Sequence, residues 1–183
     1  MPAIEAESQP RGSRVYLTGF MAAGKSVVGS ALAGILGFAF HDLDGAIEEA
    51  AGETVREIFS RHGEAAFRDL EHECLQRTSE LGDVVVATGG GTMAFPRNRE
   101  LIRRLGVSVW LDPPLETLLA RLGRGVAGQR PLYGDENETR ALYHRRLDAY
   151  RMSDLSIETS SAETAGDVAA RIVHLLRERR CVI

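Results

Sequence analysis

Short apolar runs alternate with longer amphipathic stretches along most of the chain, and this alternation predicts strands and helices in turn. Val15 to Thr18 reads as a strand running into Gly19, and an alanine- and leucine-bearing helix follows from Gly24 to Leu36, ended by Gly37. Phe38 to His41 is a second strand that ends in Asp42-Leu43-Asp44, before a helical Ile47-Glu48-Glu49-Ala50-Ala51 closed by Gly52. Thr54 with Glu57 forms a capping box ahead of a stripe of Val55, Ile58 and Phe59, and a further helix is expected from about Glu64 to Leu81. Val84 to Ala87 is a continuous apolar run suited to a strand buried on both faces, and it stops at Thr88-Gly89-Gly90-Gly91. A helix from Pro96 to Leu105, a strand from Val107 to Leu111 and a helix from Pro114 to about Leu122 come next. Residues 123–136 lack apolar periodicity and form a long loop. A helix from roughly Glu138 to Met152 leads to a fifth strand, Leu155 to Ile157, and Ser160 with Glu163 is read as a second capping box before the last helix. Strands alternating with helices imply βαβ units, hence a parallel sheet covered on both faces.

Composition narrows the class without changing this outline. The chain has 183 residues, 44% of them hydrophobic and 26% charged, which fits one globular domain and excludes a disordered or collagen-like chain. Residues 1–13 have no periodicity and are expected to form a flexible arm, with residues 14–183 a single domain. No stretch approaches the ~18 apolar residues of a membrane span, and the polar, acidic start does not resemble a signal peptide, so a cytoplasmic protein with no membrane partner is expected. A net charge of −4 gives no reason to expect a nucleic-acid partner. Cys74 and Cys181 are too far apart in sequence to suggest a zinc site or a disulfide framework. Among the 22 basic residues only Lys25 is a lysine, which singles that position out for chemistry.

Lys25 falls in Gly19-Phe20-Met21-Ala22-Ala23-Gly24-Lys25-Ser26, which fits the phosphate-binding loop G-x-x-x-x-G-K-[ST] between a predicted strand and a predicted helix. Backbone N–H groups of such a loop wrap a phosphate at a helix N-terminus, the lysine reaches the terminal phosphates, and the Ser26 hydroxyl can ligate Mg²⁺. Asp42 and Asp44 sit at the C-terminal end of the second strand, the edge where open α/β sheets bind ligands, and while the chain stays extended both carboxylates point the same way. Two carboxylates beside a phosphate loop suit a metal ion and a substrate hydroxyl, or they cap the next helix. Gly89, Gly90 and Gly91 follow the third strand at the same edge, where backbone can come close to an anion or a polar substrate. Arg68 and Arg146 lie on predicted helices, where arginines are usually solvated or paired, and composition alone cannot select them. The five histidines show no ligand spacing.

Taken together, GFMAAGKS, the DLD pair, GEAAFRDLE, ATGGGT and QRPL resemble the shikimate kinase family in order and spacing, over about residues 14 to 176. The resemblance implies a P-loop kinase-type three-layer α/β fold with a five-stranded parallel sheet of order 2-3-1-4-5 and a mobile lid loop. It implies transfer of the ATP γ-phosphoryl group to the 3-hydroxyl of shikimate, with Mg²⁺ as the metal. Gly19, Ala22, Ala23, Gly24, Lys25, Ser26 and Val27 would then bind ATP, with Ser26 and Asp42 on the metal and Arg121 stacked on adenine. Asp44 would hold the substrate hydroxyls where a base is needed, Arg68 and Arg146 would grip the carboxylate with help from the backbone of Gly89, Gly90 and Gly91, and Arg130 would close over the γ-phosphate. The replacement of Pro-Leu by Asp148-Ala149 in the run after Arg146 leaves open which of Arg145, Arg146 and Arg151 faces inward. A monomer is expected. The alternative is a related small-metabolite kinase of the same fold, acting on gluconate or a modified shikimate.

Overall fold

Five parallel strands, β1 (Arg14–Thr18), β2 (Ala39–Asp42), β3 (Val84–Ala87), β4 (Val107–Asp112) and β5 (Leu155–Glu158), form one sheet of order 2-3-1-4-5 in the computed structural model. The model describes residues 14–123, 135–179 and 181. The expected arm and most of the 123–136 loop therefore lie outside the described residues. The helices are α1 (Lys25–Leu36), α2 (Leu43–Ala51), α3 (Val55–Arg77), α4 (Pro96–Leu105), α5 (Leu115–Arg121), α6 (Glu136–Tyr150) and α7 (Ala165–Glu178).

The run Val84-Val85-Val86-Ala87 is apolar throughout because β3 lies between β1 and β2 and is buried at every residue. β2 is an edge strand, and its Ala39 and Phe40 are exposed. Phe40 lies against α1 where that helix has Gly29: a Cβ there would come within 2.7 Å of the ring. The core between sheet and helices is built from Leu17, Leu32, Ile47, Val85, Val109, Leu111 and Ile172, all fully buried. Each such side chain contributes about 1.5–3 kcal/mol. α1 packs against α7, α2 against α3, and α5 against α6.

Pairing register levels the strand ends that matter. Ala87 of β3 stands opposite Leu17 of β1 on one side and Asp42 of β2 on the other. The loops that leave β1, β2 and β3 therefore start from one rim of the sheet.

Several boundaries differ from the sequence reading. The helix expected to reach Leu81 ends at Arg77, because the Thr78 hydroxyl donates back to the Leu75 carbonyl at 2.7 Å and Arg14 takes the carbonyls of Thr78, Ser79 and Leu81. Its break from the preceding helix is at Gly63, at φ 82°, inside an otherwise continuous α3. The last helix starts later than the Ser160 box predicts. Its capping box is Thr164 with Asp167, while Glu163 accepts the Ser160 N–H and pairs with Arg171. α6 begins at Glu136, two residues before the expected Glu138, because the Asp135 carboxylate accepts the Glu138 N–H and caps it there. The Thr54–Glu57 box is present, with both of its hydrogen bonds.

Candidate active site

The loop from β1 to α1 turns on three residues with positive φ: Gly19 at 132°, Ala22 at 59° and Gly24 at 94°. Gly19 has no alternative, since a Cβ would lie 2.6 Å from the Leu111 carbonyl oxygen. Ala22 accepts the left-handed conformation at a cost of about 1–2 kcal/mol. α1 has no acidic residue in its first turn, so its N-terminal N–H groups and positive dipole end are not neutralised by the helix itself. Lys25 is buried and folds back over the loop, its Nζ donating to the carbonyls of Gly19 at 2.9 Å and Phe20 at 2.8 Å. Ala23 is buried under the loop, whereas the Val27 side chain is exposed. Arg121, the last residue of α5, donates from Nη1 to the Ala22 carbonyl at 3.1 Å and so lies across the same loop.

The two aspartates part company. The chain turns helical at Leu43, and Asp42 is the N-cap of α2: its Oδ1 accepts the N–H groups of Asp44 at 3.1 Å and Gly45 at 3.4 Å. Its Oδ2 accepts the Ser26 hydroxyl at 2.6 Å, which joins β2 to the phosphate-loop helix. Capping and site roles thus share one carboxylate. Asp44 is carried round the first turn of α2 to face the triple-glycine loop, so the shared direction expected from an extended chain does not hold.

That loop is a node. A Cβ on Gly89 would fall 2.8 Å from Asp44 Oδ1, one on Gly90 would fall 3.0 Å from Met21 Cγ and 3.1 Å from Met21 N, and one on Gly91 would fall 2.7 Å from Arg68 Nη2. Three glycines in a row therefore let an aspartate, the phosphate loop and an arginine approach one stretch of backbone.

Arg68 is 5% exposed and fully constrained. It pairs with Glu64 at 3.0 Å and Glu71 at 3.1 Å, and its guanidinium carbon lies 4.7 Å from the Phe95 ring centroid and 4.9 Å from that of Phe67. Glu71, wholly buried, also accepts the Thr92 hydroxyl at 2.7 Å and the Asn98 amide at 3.3 Å. Burial pushes the Glu71 carboxyl above its ordinary pKa, while the Arg68 charge and the Thr92 hydroxyl pull it back and nearby Asp44 adds to the rise. Sequence reasoning missed Glu71, Thr92 and Asn98. The Glu71 signal was the i,i+3 spacing from Arg68 on one helix.

Among the three arginines left open, Arg146 turns inward. It is buried and donates to the Gly90 carbonyl at 3.2 Å, whereas Arg145 is exposed and Arg151 pairs with Asp148 on the surface. Arg130 lies outside the described residues.

The arrangement can hold a polyphosphate at α1 beside a small anion held by Arg68 and Arg146, with a carboxylate between them. Comparison with known proteins identifies the family. The shikimate kinase family model matches residues 21–177. A shikimate kinase of Geobacter sulfurreducens is 44% identical over 92% of this chain and 93% of its own. Among solved structures, shikimate kinase from Acinetobacter baumannii, in complex with shikimate, is 36% identical with a TM-score of 0.86, covering 92% of this chain and 95% of its own. That of Aquifex aeolicus is 34% identical with a TM-score of 0.78, covering 91% and 98%. The chain belongs to the shikimate kinase family.

Proposed function

We propose that the enzyme moves the γ-phosphoryl group of ATP to the 3-hydroxyl of shikimate at the rim formed by the loops after β1, β2 and β3. The observation that carries this reading is the meeting of Asp44, the phosphate loop and Arg68 on Gly89, Gly90 and Gly91. The Acinetobacter relative, described as a complex with shikimate, supports the same acceptor.

Phosphoryl transfer asks the protein for alignment and charge compensation more than for covalent chemistry. Gly19, Ala22, Ala23, Gly24 and the first turn of α1 offer N–H groups to the phosphates, and Lys25 sets a buried positive charge beside them. Arg121, already bonded to this loop, would pack on the adenine. Arg68 and Arg146 grip the carboxylate, which fixes the ring by a planar, bidentate match. Asp44 accepts the hydrogen bond of the attacking hydroxyl and takes its proton as the phosphorus–oxygen bond forms and the bond to the ADP oxygen breaks. Arg130 is assigned the γ-phosphate, and Arg130→Ala is expected to lower kcat more than it raises either KM.

Mg²⁺ fits the residues present. Ser26 Oγ and Asp42 Oδ2 are hard oxygen donors 2.6 Å apart beside the phosphate loop. The ion would take its remaining ligands from phosphates and water. When bound it would neutralise charge on the phosphate oxygens.

The direct test is ADP release from ATP with shikimate, quinate, gluconate or no acceptor. Release with shikimate alone, with the phosphorus resonance of the product coupled to the proton at carbon 3, supports the assignment. Faster release with gluconate would favour a kinase of the same fold and a different acid.

Two glycines distinguish a change at the site from a purely structural one. Gly91→Ala pushes only on the Arg68 guanidinium, which is tied to buried Glu71, and is expected to raise the shikimate KM about tenfold with some loss of Tm. Gly106→Ala would place a Cβ 2.2 Å from the Arg14 backbone oxygen and is expected to lower stability by about 1–3 kcal/mol with little effect on KM. Parallel thermal melts and kinetics on the two variants check the contrast.

A further inference from the structure

We infer that Tyr150, the last residue of α6, is a positioning residue that sets the substrate-facing backbone of Gly90 and Gly91 through its hydroxyl. The inference rests on the assignment of that backbone to the shikimate site. Tyr150 is 1% exposed, and its hydroxyl donates to the Gly90 carbonyl at 2.6 Å. Its ring stacks on Trp110 of β4, with centroids 6.0 Å apart and planes 24° apart. Trp110 is fixed in turn, paired in register with Thr18 of β1 and with its Cδ1 3.3 Å from where a Gly19 Cβ would lie. A rigid aromatic post therefore runs from the base of the phosphate loop to the middle glycine.

The bookkeeping of the glycine carbonyls shows what the post does. Gly89 O accepts the Thr92 N–H at 3.3 Å and Gly91 O accepts the Ala94 N–H at 2.9 Å, both within the turn that follows. Gly90 O instead accepts from side chains, Tyr150 at 2.6 Å and Arg146 at 3.2 Å. In a trans peptide the carbonyl and the next N–H point in opposite directions. Holding Gly90 O against α6 thus aims the Gly91 N–H away from α6. Because the phenol makes the shorter bond, Gly90 O does not depend on Arg146 alone, and Arg146, which also hydrogen-bonds the Tyr150 side chain, gives the carbonyl only its Nη1. Burial pushes the Tyr150 phenol up to about 12, so it remains a neutral donor across the working range. Without its hydroxyl the three-glycine turn, which has no side chains of its own to lock it, would rely on the longer Arg146 bond.

Tyr150→Phe removes the hydroxyl and leaves the stack on Trp110. It is expected to raise the shikimate KM about tenfold while the ATP KM stays within about twofold. A second readout is the Gly91 amide resonance, expected to move in Tyr150→Phe without added ligand. Arg68→Ala is measured alongside. If Arg68→Ala raises the shikimate KM and Tyr150→Phe lowers only Tm, or raises both KM values equally, Tyr150 is a packing residue and the inference is overturned. If Arg68→Ala itself leaves the shikimate KM unchanged, the site assignment beneath it fails.

Discussion

Lys25→Met is expected to lower kcat by about a thousandfold or more while the protein still folds. The ammonium sits 7% exposed inside the phosphate loop, where its charge is weakly screened and no other cation of the loop can replace it. Methionine keeps the length and the apolar stem but offers no donor to phosphate oxygens. The structural cost includes the Gly19 and Phe20 carbonyls that Lys25 now satisfies, and Phe20 O retains the Ala23 N–H at 3.2 Å. Each lost bond is donated by an ammonium and worth about 1.5–3 kcal/mol, and removing the buried charge offsets part of that loss, so the domain still folds. Steady-state ADP release at saturating shikimate, with a thermal melt on the same sample, decides the matter. Turnover within about tenfold of wild type would remove the phosphate-loop assignment.

Arg68→Ala carries the second large effect, on the acceptor side. Losing a charge-assisted pair of about 1.5–3 kcal/mol corresponds to a shikimate KM raised about 10- to 150-fold, with the ATP KM nearly unchanged. The same substitution strands Glu71, wholly buried, with only Thr92 and Asn98 as partners, so Tm should fall as well. The double variant Arg68→Ala/Glu71→Gln separates the two consequences: it is expected to regain stability and to keep the high KM. An analogue of shikimate without its carboxylate provides the control, since wild type and Arg68→Ala should then bind equally poorly. Equal losses on both acceptors would contradict the carboxylate role.

How far these parts could be read from the sequence depends on how each works. The phosphate loop was legible because a strand, two glycines and a lysine at fixed spacing make one local device, and the structure keeps them contiguous. The parallel sheet was legible from the alternation of runs such as Val84-Val85-Val86 with amphipathic helices. Arg68 was selected only by resemblance, because its distinction is tertiary: two glutamates, flanking phenylalanine rings and Gly91 hold it, and all but Glu64, Phe67 and Glu71 come from distant segments or an earlier turn of the helix. Thr92, Asn98 and Tyr150 were invisible for the same reason, being polar groups whose partners the fold supplies, whereas Glu71 offered only its i,i+3 spacing from Arg68. The misplaced Ser160 box has a local cause. Two Ser/Thr-x-x-Asp/Glu patterns stand one turn apart, and the helix takes the second, Thr164 with Asp167, where both reciprocal bonds form, while Glu163 accepts the Ser160 N–H and pairs with Arg171.

A structure with shikimate and a non-hydrolysable ATP analogue tests the central claim most directly. The account predicts the shikimate carboxylate on Arg68 and Arg146, the 3-hydroxyl within hydrogen-bond reach of Asp44 and aligned with the terminal phosphate, and the Lys25 ammonium on that phosphate. A ring bound with its carboxylate away from Arg68, or a triphosphate outside the turn from Gly19 to Ser26, would contradict it.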